Sequence, residues 1–214
     1  MTRPTEQMLI DRLAAEATPV RPLRHPLARA GGLLLAFAVI ACLALAVLAD
    51  PAAMLARYVG REVPMVLEVG AMLATAALSI TAAFFLSVPG SSRRWTLAPL
   101  PPLLLWLGLS GADCVGAAMR GEWGHWAPDC LIFILGAGFA AGVPLLWRLS
   151  RARPIDPLPV ALLGGLGSAA FAAFLLNFFH PFAITPLDLA IHVAAVLIVI
   201  AASVLARRAA LRPA

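Results

Sequence analysis

Six apolar stretches dominate this chain, and each is close to the length that a helix needs to cross a bilayer. That length is about 17–25 mostly apolar residues. The third and the fourth stretches are at the short end of this range. The stretches cover residues 27–48, 65–88, 95–111, 130–147, 158–179 and 187–206. The sequence therefore predicts an all-α fold, a polytopic membrane bundle of six transmembrane helices.

The composition agrees with a membrane protein. Of the 214 residues, 62% are hydrophobic and only 13% are charged, whereas soluble domains have nearer one half and one quarter. A folded sphere of this length could not hide so much apolar side chain from water, so the excess must face lipid. The first 26 residues are polar, and we expect no cleavable signal peptide.

The arginines between the apolar stretches predict the orientation of the chain. All 16 basic residues are arginine, and loops with an excess of basic residues stay in the cytoplasm. Thirteen arginines fall on the side of the two termini and three on the other side. We therefore expect both termini in the cytoplasm, with a cytoplasmic segment at 1–26, a transmembrane domain at 27–206 and a cytoplasmic tail at 207–214.

Residues 5–17 predict a short amphipathic helix ahead of the first span. At 100° per residue, Leu9, Ile10 and Leu13 share one face, and Arg12 lies with two acidic residues on the other. A helix of three turns is marginal alone in water. It gains stability by docking into a protein groove or by lying on the membrane surface, and the two acidic residues favour the protein partner.

Two cysteines bracket the short loop between the third and fourth stretches. Cys114 and Cys130 could sit at similar depth in an antiparallel helix pair, which permits a disulfide without ensuring it. With His125 and His180 they could also form a metal or redox site. The alternative is that the cysteines only pack a helix interface, because no structural zinc spacing is present. Cys42, deep in the first span, reads as an inert core residue.

Three ionisable residues lie near the ends of apolar stretches. Glu68, Asp188 and His192 could form a proton or ion path, because a charge at membrane depth is costly unless it is used or paired. Alternatively, they lie close enough to the interface to be solvated or paired with one another. The spacing of small residues also predicts close helix contacts at two pairs, Gly138 with Gly142 and Gly164 with Ser168.

Three segments of the chain resemble the bacterial NrsF-like family, which is named for negative regulation of the sigma factor F. They are the N-terminal LIDRLA at 9–14 with PVR at 19–21, the junction FLSVPGSSRRW at 85–95, and a set of residues expected outside the membrane. That set comprises Asp113 and Cys114, His125, CLIF at 130–133, FHP at 179–181 and His192.

The resemblance implies an inner-membrane anti-sigma factor with six spans. Such a protein holds an extracytoplasmic-function sigma factor at the membrane, and its outward cysteine pair is tied to sensing metal or oxidative stress. The matching positions are Cys114 and Cys130, with His125 and His180 as candidates that assist them. No resident cofactor is implied, although a metal ion could bind transiently at the two cysteines. No direct contact with nucleic acid is implied either.

The sigma-binding residues follow from the amphipathic helix. Leu9, Ile10 and Leu13 would be the hydrophobic anchors, and Arg12 and Arg21 the polar rim. Two other functions stay open: a small metal-ion or proton transporter that uses Glu68, Asp188 and His192, and a membrane enzyme that oxidises thiols. The sequence contains no enzyme signature, so we expect no catalytic activity.

Overall fold

The computed structural model describes residues 6–17, 22–52, 56, 59, 62–124, 126, 128–179 and 185–209. Within these residues the protein is helical and contains no strands. The helices are α1 (Glu6–Glu16), α2 (Pro26–Leu48), α3 (Glu62–Leu86), α4 (Leu100–Met119), α5 (Pro128–Ser150), α6 (Pro157–Leu176) and α7 (Pro186–Ala209). Helices α2 to α7 are each long and apolar enough to span a membrane. The predicted fold class is therefore confirmed, and the orientation of the termini stays a prediction.

Proline sets the starts of most spans. Helices α2, α5, α6 and α7 each begin at a proline, a position where the missing N–H has no helical partner to lose. A short 3-10 helix, Arg93–Leu97, precedes α4. After α4 the chain turns at Gly121, whose φ of +78° is a left-handed conformation that favours glycine.

Two spans are longer than the sequence indicated. Helix α4 continues to Met119, although Ser110 and Gly111 looked like the end of the third stretch. Asp113 and Cys114 therefore lie inside this helix and not at its end. Helix α5 covers 23 residues and continues through Pro144 to Ser150.

Helix α6 is at the centre of the bundle. It packs against α3, α5 and α7, while α4 packs against α3 and α7, and α2 packs against α3. In α6, 72% of the most apolar stretch is buried, compared with 17–50% in the other spans. Consecutive spans α4 and α5 share no extensive interface, so the antiparallel pair expected at the two cysteines is not formed as a packed hairpin.

Small residues allow the helices around α6 to approach closely. A Cβ added at Gly138 would lie 3.0 Å from Val199, and one at Gly142 would lie 3.2 Å from Ser168. At Gly164 an added Cβ would contact two leucines of α5 at 3.3 and 3.4 Å. The predicted role of these small residues in helix packing is confirmed.

Large apolar side chains cover the outside of the bundle. On α2, Leu35, Leu43 and Val47 are 61–79% exposed, as expected of side chains that face lipid. Cys42 is exposed on the same helix. The prediction that Cys42 is a core residue was therefore wrong, because in a membrane bundle a deep position along a span need not face the protein interior.

Candidate functional site

The bundle has two distinct ends. We call the end formed by residues 25–29, 86–94, 148–156 and 207–208 the arginine-rich end, since most described arginines lie there. The cysteine end is formed by residues 113–124, 128–130 and 185–192. Contacts across each end support this grouping: Arg29 contacts residues of α3 and α5, and the Leu187 amide donates to the Trp123 carbonyl oxygen.

Helix α1 presents an unburied apolar face. Leu9, Ile10 and Leu13 are 51–59% exposed, and Arg12 forms an i,i+4 ion pair with Glu16 at 3.0 Å. Such a pair contributes a few tenths of a kcal/mol, about 0.3–0.5. The predicted helix is therefore present with its apolar side chains available for a partner. Arg21 lies outside the described residues.

Arg29 connects the start of α2 to two other spans. Its guanidinium donates to Ser87 Oγ at 3.4 Å and to the Arg148 carbonyl oxygen at 3.3 Å. It also lies over the Phe84 ring, 4.9 Å from the centroid. The sequence analysis read Arg29 only as a topology signal, because nothing in its spacing indicated which helices would surround it. Arg29 thus ties the first turn of α2 to α5 and to the end of α3, beside the ring contact of His25 with Phe85.

The junction after α3 is built around a buried serine and a glycine turn. Ser87 is fully buried and donates to the Phe84 carbonyl oxygen at 2.7 Å. Gly90 has a φ of +82°, a left-handed conformation that favours glycine, and this explains why a glycine follows Pro89 in the junction. Phe85 stacks on Trp95 with centroids 4.1 Å apart. These contacts fix the chain between α3 and the 3-10 helix.

A groove lies beside this junction, and we call it the junction groove. Its volume is about 500 Å³. Arg93 and Asp156 form an exposed ion pair of 3.5 Å at its edge. Apolar side chains from the junction and from the start of α6 form much of its wall, among them Leu86, Val88, Ile155, Leu158 and Leu162. The groove is thus a second apolar surface at the arginine-rich end.

The two cysteines occupy different environments at the cysteine end. Cys130 is buried in α5 against Ile134, Ala172 and Ala195, which belong to α5, α6 and α7. Cys114 is half-buried on α4. Both thiols are free, so no disulfide joins them in this structure. His125 and His180, the predicted assisting residues, lie outside the described residues.

No cluster of three or more histidine, cysteine or acidic residues that could hold a metal ion is found in the described part of the chain. A metal ion bound by Cys114 and Cys130 would therefore need further ligands from elsewhere. A pair of thiolates is a soft donor set that suits copper, zinc or heavier ions. The same two thiols could alternatively form a disulfide after a shift that brings the sulfur atoms to bonding distance, about 2.05 Å.

The loop between α4 and α5 is fastened to the start of α7. Besides the bond from Leu187 to Trp123, Gly124 lies so close to Thr185 that no Cβ would fit there. Arg120 binds Glu122 through two hydrogen bonds of 2.9 and 3.0 Å. These bonds, together with the charge of Arg120, hold the pKa of Glu122 below its ordinary value.

The structure shows hydrogen bonds at each of the three ionisable residues from the sequence analysis. Glu68 is only 7% exposed and accepts a hydrogen bond of 2.5 Å from Ser110, which does not fit the alternative in which Glu68 is solvated at the interface. Asp188 accepts hydrogen bonds from the Thr185 hydroxyl and amide at the start of α7. His192 Nδ1 lies 2.6 Å from the Asp188 carbonyl oxygen.

The sequence analysis missed the partners of two of these carboxylates. Thr185 and Asp188 form a capping box, and its pattern of threonine followed three residues later by an acid is readable in the sequence. Ser110 carried no comparable signal, because it is 42 residues from Glu68 and only the packing of α4 on α3 brings them together.

Comparison with known proteins identifies the family. The model of one protein family, NrsF, described as negative regulator of sigma F, matches residues 13–212, nearly the whole chain. No match was found among curated proteins or among solved structures. The helical fold and the six spans agree with the expectation that the resemblance gave. The chain therefore belongs to the NrsF family, the negative regulators of sigma F.

Proposed function

We propose that this protein is a membrane anti-sigma factor with a sensor on the far side of the bilayer. It binds an extracytoplasmic-function sigma factor through residues 5–24 in the cytoplasm. It releases that sigma factor when Cys114 and Cys130 react with a metal ion or an oxidant outside. Family membership supports the sigma factor as partner, and the sensor and the class of sigma factor are our additions.

The observation that carries this proposal is the position of α5. This helix has Cys130 in its first turn and the Arg148 carbonyl, which accepts from Arg29, near its other end. The 18 residues between them correspond to about 27 Å of helix. A shift of α5 at the cysteine end is thereby passed to Arg29, four residues after His25 caps α2. The sigma-binding helix lies directly upstream.

Burial of Cys130 supports its role as the group that moves the helix. Its side chain packs against α6 and α7, so bridging to Cys114 by a disulfide or a metal ion must disturb that packing. Such a reaction favours a bundle state in which the sigma factor binds less well. A coupling of about 1–3 kcal/mol changes the affinity by about 5–150-fold.

The sigma-binding surface can be tested with a matched pair of substitutions in α1. Leu13→Asp places a charge on the exposed apolar face, and Ala15→Asp places the same charge on the opposite face of the helix. Loss of one buried leucine corresponds to about 1.5–3 kcal/mol, or about 10–150-fold in affinity. We expect Leu13→Asp to free the sigma factor, as shown by constitutive reporter expression, and Ala15→Asp to retain it.

Deletion of residues 1–24 provides the decisive control. The truncated protein should remain in the membrane and no longer retain the sigma factor in a co-purification assay. Continued retention would refute binding through α1. The junction groove, with its apolar wall and the Arg93–Asp156 pair, would then be the next surface to mutate.

The sensor is tested separately by replacing cysteines. Cys114→Ser with Cys130→Ser should make reporter output insensitive to cadmium and to hydrogen peroxide, while sigma retention at rest is unchanged. Cys42→Ser is the matched control, because Cys42 is a third free thiol but is exposed on α2. An unaltered response in the double variant would exclude the cysteine sensor while leaving the anti-sigma function intact.

A further inference from the structure

A cavity lies within the bundle between α3, α4, α6 and α7. Its volume is about 270 Å³, close to the lower end of small-molecule pockets, which is about 300 Å³. Most of its wall is apolar, with Met72, Trp106, Ala173 and Leu176 among the buried contributors. None of the contacts proposed for sigma binding or cysteine sensing uses this space.

The cavity opens on the outside of the bundle. Leu107, Val193 and Leu197 belong to its wall and are 43%, 39% and 59% exposed. These residues lie on spanning helices α4 and α7, where the exposed surface faces hydrocarbon. A molecule that reaches the cavity through this opening would come from the bilayer and must itself be lipophilic.

Four polar side chains belong to the wall: Ser110, Asn177, Asp188 and His192. The amide of Asn177 carries both a donor and an acceptor, whereas Ser110 and Asp188 offer acceptors. Ser110 uses its hydroxyl proton in the bond to Glu68, so towards a ligand its oxygen can act only as an acceptor. Asp188 accepts hydrogen bonds through Oδ2, and its carboxyl group has further acceptor sites. His192 Nδ1 donates to the Asp188 carbonyl oxygen, so this nitrogen offers no acceptor to a ligand. These acceptors disfavour an anionic head group, since the carboxyl group of Asp188 belongs to the wall and that of Glu68 lies behind Ser110.

We propose that this cavity binds a lipophilic molecule whose polar head is an uncharged hydrogen-bond donor, such as a long-chain alcohol or a phenol. The apolar body lies against Met72 and Trp106, and the head group donates to the acceptors of Ser110 and Asp188. The head group and the chain of such a molecule would contact neither the sigma-binding helix nor the two thiols, although Leu176 belongs both to the cavity wall and to the cluster around Cys130.

Photolabelling of the purified full-length protein in lipid nanodiscs tests the proposal. Two probes are compared: hexadecanol with a mid-chain diazirine, and its methyl ether, which has the same chain and no donor. We expect the alcohol to label cavity residues about fivefold more than the ether, which corresponds to ~1 kcal/mol for one hydrogen bond. Equal labelling by the two probes would show a gap filled by any acyl chain and overturn the proposal.

Two substitutions on α7 locate the labelling. Val196→Phe fills the cavity from its wall and should abolish the preference for the alcohol. Ala194→Phe adds the same ring on the exposed side of the helix and should preserve it. If Val196→Phe does not fold, Leu197→Trp at the opening serves instead. Alcohol labelling that persists when the cavity or its opening is blocked would place the probe elsewhere and refute the site.

Discussion

Replacement of Gly165 by alanine should separate α6 from α7. An added Cβ at this position would lie 2.8 Å from the Ile200 Cα and 3.0 Å from Ser203 Oγ. The first of these atoms belongs to the backbone of α7, so it cannot rotate away. Ordinary contact begins near 3.4 Å, and α7 must therefore move outward by about 0.6 Å. A gap of 0.5–1 Å already forfeits about a quarter to a half of the local dispersion energy.

The expected loss of stability follows from two opposing effects. Overpacking of a close contact costs about 1–3 kcal/mol. Alanine in place of glycine also stabilises a helix, by about 0.5–1 kcal/mol. Gly108→Ala in α4 isolates this gain, because nothing lies within 4 Å of an added Cβ there. Relative to Gly108→Ala, we expect Gly165→Ala to lower the free energy of unfolding by about 1–3 kcal/mol.

Reversible unfolding by SDS in mixed micelles measures this difference, followed by the far-UV circular dichroism of purified protein. Gly142→Ala provides an intermediate case, since its added Cβ would meet only a serine side chain, at 3.2 Å. The predicted order of stability is Gly108→Ala, then Gly142→Ala, then Gly165→Ala. Equal stabilities for the first and last variants would mean that α6 and α7 are not packed as described.

Three further predictions concern polar contacts. Ser110→Ala removes the hydroxyl that donates to buried Glu68 and should lower the free energy of unfolding by about 1–3 kcal/mol; a wild-type SDS midpoint would contradict the contact. Thr185→Ala breaks the capping box of α7 and should lower the free energy of unfolding by about 0.5–2 kcal/mol. Thr185→Ser keeps a hydroxyl at this position and should retain most of that stability. Identical midpoints of SDS unfolding for the two variants would count against the cap. Arg120→Ala should raise the pKa of Glu122 in an NMR titration, because Arg120 lowers it. The stabilisation of the fold by this pair is present above the ordinary glutamate pKa of 4.5 and is lost as the pH falls through the lowered pKa of Glu122.

The spans were predictable because each apolar run is a local property of the chain. Their packing was not, since sequence neighbours α4 and α5 share no extensive interface, while α3 and α6 pack extensively although they are distant in the chain. The third span was predicted too short because Ser110 and Gly111 resemble a helix end. In the bundle Ser110 is buried and bonded to Glu68, so the helix continues past it.

The candidate site was predictable only in part for the same reason. The apolar face of α1 depends on residues within one helix, and helical periodicity reveals it. The role of Arg29 depends on Ser87 and Arg148, which are 58 and 119 residues away. Cys42 was wrongly predicted to be a core residue, because a cysteine that would be buried in a soluble domain can face lipid in a membrane bundle.

The central position of α6 has a consequence for synthesis. This helix is the fifth span to leave the ribosome, yet it holds α3, α5 and α7 together. The first four spans must therefore enter the bilayer and wait there, with the surface that will receive α6 covered by lipid. At about 5–20 residues per second, this wait lasts several seconds after α3 is made. A nascent chain arrested before residue 157 would be inserted but unassembled, and membrane proteases should remove it.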